Sequence, residues 1–298
     1  LMQVIEKAYA KVNISLNLTG QKEHNLHYLV SMICFSDFYD TIVIEDSNEF
    51  KYVINDDVKF NKPDLILKTI EFLSKEIGKD LPPFKITLNK QIPIGAGLGG
   101  GSANAAATLR AIDKFFNLNL TYDQKVLIGN KIGSDVPSCI VSKPLILSGY
   151  GDQIRLLEGL NDKDIIIIYP NISVSTKEVF DNVDVNLIEK KDSQKLEKQI
   201  EDNISFYNDG TNFDKLFSND LQSLVLKKYP AIKDVIGCLT KAGSSFVSMT
   251  GSGSAFFGFF EESSINHAYK KINDLNKDWV IIKCKLMGSN NREINKLH

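Results

Sequence analysis

The sequence predicts an α+β protein of two domains, and three observations carry that expectation. Its 298 residues suffice for two domains. Residues 93–103 form a glycine-rich turn between a strand-like and a helix-like stretch. In the second half, the pattern runs strand 165–169, helices, strands 246–249 and 255–260, helix 265–275 and strand 279–286. That order gives an antiparallel sheet with helices on one face, a ferredoxin-like layout. A boundary near Leu160 divides a domain of residues 1–160 from one of 161–298.

Composition narrows the class. A hydrophobic fraction of 43% and a charged fraction of 24% are those of an ordinary globular protein. The net charge of −2 gives no electrostatic reason to expect nucleic acid or an anionic membrane. Cys34, Cys139, Cys238 and Cys284 are scattered without a Cys-x-x-Cys pair, which suits a reducing compartment and argues against zinc. No apolar run reaches the ~20 residues of a membrane helix. Glu6, Lys7 and Lys11 interrupt the first apolar residues, so no signal peptide is expected and the assignment is cytoplasmic.

Taken in order, residues 8–18 alternate strictly. Ala8, Ala10, Val12, Ile14, Leu16 and Leu18 face one way, and Tyr9, Lys11, Asn13, Ser15 and Asn17 the other. This predicts one strand with a buried face and a polar face, from which Lys11 and Asn13 project together. Residues 20–28 read as a polar hairpin loop carrying His24 and His27, without a third ligand for a metal. Strands are expected at 30–35 and 40–45, and a helix after Pro63.

Strand 84–88 then leads into residues 93–103, which read Pro-Ile-Gly-Ala-Gly-Leu-Gly-Gly-Gly-Ser-Ala and contain five glycines. Without Cβ atoms, such a loop turns backbone N–H groups inward and lets an anion approach. The Ala-rich helix expected at 102–116 adds free N–H donors and partial positive charge at the same point. The combination predicts a phosphate cradle. No Lys follows Gly101, so it is not a Walker loop. Gly95, Gly97 and Gly100 match the dinucleotide fingerprint literally, but the context of a first βαβ unit is missing. A bulky side chain at Gly99 or Gly100 is expected to block the phosphates, with Gly100→Val still folding.

Thr121 caps a helix at 122–132, ended by Gly133, and residues 133–137 make a tight connection containing Asp135. A strand at 145–147 and the Gly149-Tyr150-Gly151 turn follow. Residues 189–203 are highly charged and read as a solvated helix or a mobile insertion. Helices are expected at 219–228 and 231–242, parted by Pro230.

Three motifs in this order resemble the GHMP kinase superfamily: Lys11-Val12-Asn13, residues 93–103, and the loop 250–255 between two late strands. Ala10-Lys11-Val12-Asn13, Gly-Gly-Gly-Ser-Ala-Asn at 99–104 and Gly133-Ser134-Asp135-Val136-Pro137 resemble the branch acting on a cytidyl diphosphate sugar-alcohol. The resemblance implies a two-domain GHMP kinase fold, with an N-terminal domain like ribosomal protein S5 and a ferredoxin-like C-terminal domain. It implies phosphoryl transfer from ATP with Mg2+ to the 2-hydroxyl of that small molecule.

By the same resemblance, Lys11 and Asp135 are catalytic, Asp135 as base. Pro93, Ile94, Gly95, Ala96, Gly97, Leu98, Gly99, Gly100, Gly101, Ser102 and Ala103 bind ATP, with Lys90 and Asp64 beside the adenine. Asn13, His27, Thr176 and Phe180 hold the substrate, Phe180 by stacking on cytosine. No metal ligand is assigned beyond a place for Mg2+ near Ser102. Leu26 and Asp64 depart from the family's Tyr and Asn at their positions. Neither nucleic acid nor a membrane is expected as partner, and the oligomeric state stays open. Other readings are a mevalonate- or homoserine-type kinase and a catalytically silent nucleotide-binding protein.

Overall fold

The computed structural model describes residues 2–23, 26–55, 64–184, 188–210, 213 and 217–291. His24, Asn25 and Pro63 lie outside them. The chain divides into two compact units that interleave along the sequence. The first comprises Leu1–Lys11, Phe38–Ile92 and Gly99–Ser142, and the second Val12–Asp37, Pro93–Leu98 and Lys143–His298.

In the first unit, β1 (Gln3–Asn13, as far as Lys11) and the later part of β3 (Leu26–Asp46) accompany β4 (Lys51–Ile54) and β5 (Phe84–Asn89). Strand β5 pairs antiparallel with β3, Thr41 opposite Asn89, and parallel with β4, Lys51 opposite Lys85. Four helices complete the unit: α1 (Leu65–Ile77), α2 (Gly100–Phe116), α3 (Tyr122–Ile132) and α4 (Val136–Val141). Helix α3 starts and stops where its caps predict. Thr121 and Gln124 form a reciprocal capping box, satisfying two otherwise orphaned N–H groups. Helix α2 begins two residues earlier than its apolar spacing suggests, because Gly99 takes a left-handed conformation (φ 66°) at its N-cap. The Gly99 carbonyl then accepts the first helical bond from Ala103 N–H at 2.9 Å.

In the second unit, β2 (Asn17–Glu23), the earlier part of β3, β6 (Leu145–Gly149) and β7 (Gln153–Leu156) form one set of strands. The others are β8 (Lys163–Tyr169), β9 (Phe246–Met249), β10 (Phe256–Phe260) and β11 (Val280–Met287). These last four lie in the order β11-β8-β10-β9 with every pairing antiparallel, as the ferredoxin-like expectation requires. Ile166 and Ile168 on the central β8 are fully buried in a core with Leu16, Val225, Phe256 and Ile272.

Two expectations are corrected. The predicted strand 8–18 is two strands, because the N–H groups of Ile14 and Ser15 both donate to the Met32 carbonyl, at 2.8 and 3.4 Å. That doubling turns the chain, and Leu16 N–H goes instead to Ser218 O at 2.8 Å. Its polar face is buried too: Tyr9, Lys11, Asn13 and Ser15 are shielded from solvent. The two strands expected at 30–35 and 40–45 are one continuous β3, since residues 36–39 hold neither Gly nor Pro and Ser36 pairs with Leu286. There Asp37 accepts from Lys285 N–H at 2.8 Å instead of breaking the strand. Of the two readings of the charged stretch 189–203, the helix holds: α6 (Ser193–Asp202), capped by Asp192, buries only Glu197 and Ile200. Arg155 holds it through Glu197 at 2.6 Å and Glu201 at 2.9 Å.

Candidate active site

The glycine loop rests on a buried ion pair that its own sequence does not reveal. At the end of β5, Lys90 Nζ lies 2.7 Å from Asp40 Oδ2 and also donates to the Ile92 carbonyl. Asp40 Oδ1 accepts the N–H groups of Gln91 at 2.6 Å and Ile92 at 2.8 Å. One fully buried carboxylate thus fixes three successive residues, and with them the start of the loop. Lys90, assigned to the adenine pocket from the sequence, has its ammonium inside this network. Asp64 caps α1 by accepting from Ile66 N–H at 2.8 Å, and it also accepts from Tyr52 OH.

Residues 99–103 lie in the first unit and open α2. The first turn carries no acidic side chain, and its N–H groups have no partner within the helix, so the end is fitted for an anion. A Cβ at Gly99 would stand 3.2 Å from Lys11 Cβ and Cε. One at Gly100 would stand 3.0 Å from Ile92 Cγ2 and 3.3 Å from Lys90 Nζ. These glycines therefore make room for lysines of the protein itself. A side chain at Gly100 therefore asks Ile92 and Lys90 to shift by a few tenths of an ångström before it reaches any phosphate.

Lys11 and Asp135 are brought together. Lys11 Nζ lies 3.1 Å from Asp135 Oδ2, with the lysine side chain 6% exposed and the aspartate 38%. Asp135 occupies the N-cap of the short α4 yet makes no side-chain cap bond, which leaves its carboxylate for Lys11. Its carbonyl accepts from Cys139 N–H at 3.2 Å and Ser138 Oγ at 2.8 Å, so its backbone is fixed. Burial, seconded by the Asp135 charge, pushes the Cys139 thiol up to about 12, and it stays protonated. A carboxylate beside a buried ammonium can take a proton and hold developing charge.

In the second unit, residues 93–98 pack backbone to backbone with residues 250–254. A Cβ at Gly97 would lie 2.6 Å from Thr250 O, and one at Gly251 would lie 2.8 Å from Gly97 O. Ala255 N–H donates to Ala96 O at 3.0 Å. Asn219, expected within a helix, instead donates from its buried amide to Met249 O and Gly251 O, both at 2.8 Å. Thr250 Oγ1 accepts from Asn13 N–H at 3.0 Å. The Asn13 amide donates to Ser31 Oγ at 2.7 Å, while its Oδ1 is buried and has no partner.

Elsewhere in that unit, His27 faces Phe180. Its Nε2 lies 3.1 Å from the Phe180 carbonyl, and the two rings are 5.8 Å apart at 39°. Phe180 sits on α5 (Thr176–Asp181), which Ser175 caps. Thr176 Oγ1 pairs with Ser252 Oγ at 2.7 Å, linking that helix to the 250–254 loop. Leu26 is 55% exposed. Tyr28, next to His27 on β3 and so on the other face, packs against Tyr150 with ring centroids 4.0 Å apart at 53°. Sequence reasoning missed Asp40, Asn219 and Ser252. Their partners lie 50, 30 and 76 residues away, beyond any local pattern.

Comparison with known proteins gives the class. GHMP kinases N terminal domain matches residues 64–143, and GHMP kinases C terminal matches residues 194–278. Among curated relatives is a 4-diphosphocytidyl-2-C-methyl-D-erythritol kinase of Mesorhizobium japonicum, 32% identical over 95% of each chain. Another of that name, from Clostridium perfringens, is 36% identical over 86% of this chain and 88% of its own. The chain thus belongs to the GHMP kinases, and within them to the 4-diphosphocytidyl-2-C-methyl-D-erythritol kinase family. The fold agrees. A crystal structure of 4-(cytidine 5'-diphospho)-2C-methyl-D-erythritol kinase superposes with a TM-score of 0.80 at 23% identity, covering 96% and 100% of the two chains. The Methanococcus jannaschii mevalonate kinase gives 0.72 at 18% identity, covering 96% and 98%. No helix among the described residues is long and apolar enough to cross a membrane.

Proposed function

We propose that the protein transfers the γ-phosphoryl group of ATP to the 2-hydroxyl of 4-diphosphocytidyl-2-C-methyl-D-erythritol, a step in isoprenoid precursor synthesis. The observation that carries this reading is the Lys11–Asp135 contact at 3.1 Å. Phosphoryl transfer asks little covalent chemistry of a protein and much positioning and charge stabilisation. Asp135 accepts the proton of the attacking hydroxyl. Lys11 orients Asp135 and offsets charge on the hydroxyl oxygen and the transferred group. The N–H groups at the start of α2 receive the phosphates.

Asn13 Oδ1, a buried acceptor with no partner among the described residues, is available to a substrate hydroxyl. His27 and Phe180 meet the cytosine, Phe180 by stacking. A magnesium ion bound with ATP would neutralise phosphate charge. Ser102 is the protein donor proposed for that ion, the phosphate oxygens supplying its other ligands. The enzyme works in the cytoplasm in this reading.

The test is ADP release from ATP and magnesium with diphosphocytidyl-methylerythritol, mevalonate and homoserine in parallel. Turnover with the first alone is expected. Preference for mevalonate or homoserine would reassign the substrate, and idleness with all three would mean a silent nucleotide-binding protein.

A further inference from the structure

Arg110 lies on α2, ten residues beyond Gly100, and is buried with its partner Glu6. Its Nε donates to Glu6 Oε2 at 3.0 Å, and Nη2 donates to the Lys7 carbonyl at 2.9 Å. Nη1 donates to the Cys139 carbonyl at 3.1 Å and reaches the Ile140 carbonyl at 3.5 Å. Lys114 holds the other Glu6 oxygen at 2.5 Å. One planar side chain therefore ties together three elements of the first unit. They are α2, which opens with the loop glycines, β1, where Lys11 stands four residues past Lys7, and α4, where Cys139 stands one turn past Asp135.

We propose that Arg110, paired with Glu6, is a positioning residue for phosphoryl transfer, setting the Lys11–Asp135 separation and its register on the first turn of α2. The inference rests on the kinase reading above. Stability alone does not call for such a group, because a buried ion pair can often be replaced by apolar residues of similar volume at no cost. What apolar side chains cannot do is bind carbonyls of a strand and a helix at once. The guanidinium fork, with five donors in one plane, can. The reacting geometry is sensitive to this, since a displacement of about 1 Å can lower turnover by roughly a hundredfold.

The test uses the full chain with Glu6→Leu and Arg110→Met combined, and Arg110→Lys alone. The double variant should still fold, at a lower midpoint because the carbonyls of Lys7, Cys139 and Ile140 lose a donor, and keep its KM for ATP within about threefold, while kcat falls roughly 10- to 100-fold. Its crystal structure should separate Lys11 and Asp135 beyond the ~4 Å limit of an ion pair. Arg110→Lys, which keeps the charge without the fork, should show the same split of kcat from KM. Unchanged kcat in either folded variant, or a Lys11–Asp135 contact still intact in the double variant, overturns the proposal. Should the wild type be idle with every substrate, the kinase reading fails separately, and the separation in the variant crystal still decides the role of Arg110.

Discussion

Around Lys11 the supporting charges of Lys90, Asp40, Arg110 and Glu6 are buried and answered by fixed ionic partners, whereas around Phe180 the buried His27 is held by a main-chain carbonyl and Leu26 is open to solvent. Lys90 meets Asp40 and Arg110 meets Glu6, all with side chains no more than 5% exposed. At the other region, α5 is six residues long, Leu26 is exposed, and His27 bonds a main-chain carbonyl. The difference suits what each is proposed to recognise. Charge that develops during a reaction is stabilised by dipoles and ions already in place. Stacking on a base tolerates small displacements, because every ring offers a broad face. Substitutions around Lys11 should therefore act on kcat, and those around Phe180 on KM.

The largest effect should come from Asp135. A general base typically contributes ~10²–10⁴-fold, so Asp135→Asn should lower kcat by about that factor while ATP affinity, measured by calorimetry, holds. Near-normal turnover in this variant would reduce Asp135 to a turn residue. Asp40 tests the same region through stability. Asp40→Asn leaves Lys90 buried without its counter-charge, and the expected loss is about 3–5 kcal/mol in urea unfolding. A loss under ~1 kcal/mol would mean that the loop base is held by backbone bonds alone.

Phe180 should behave otherwise. Removing an aromatic that stacks on a base costs roughly 1–3 kcal/mol, so Phe180→Ala should raise the substrate KM about 5- to 150-fold at nearly constant kcat. A fall in kcat with unchanged KM would erase the distinction between the two regions.

The glycine loop was legible because its demand is local: a φ of 66° at Gly99 and a Cβ-free approach at Gly97 write themselves as glycines. The caps of α3 were legible for the same reason, and the layout of the last four strands was legible from the succession of strand and helix patterns. The supports of the loop were not. Glu6 and Arg110 are 104 residues apart, Lys90 and Asp40 are 50, and each reads alone as an ordinary surface charge. The polar face of β1 was misread in kind, since period-two alternation reports which residues differ and not which face meets water. The turn at Ile14 was hidden likewise, because a doubled bond to Met32 O leaves the alternation intact.

The smallest effect, and the finest probe of the open region, is expected at Leu26. A second aromatic against the base would add about 0.5–1.5 kcal/mol, so Leu26→Tyr should lower KM roughly 2- to 10-fold. Tyr28 cannot already fill that role, because its ring is taken by Tyr150, whose OH donates to Glu23 at 2.5 Å. The decisive comparison places Leu26→Tyr in the Phe180→Ala background. If the two side chains grip one base from opposite faces, the new tyrosine should recover part of the lost affinity, and its gain should exceed that in the wild type. Equal gains in both backgrounds would mean that the two positions touch the ligand independently. No gain in either would leave Phe180 as a one-sided stack, with the exposed Leu26 outside the base-binding surface.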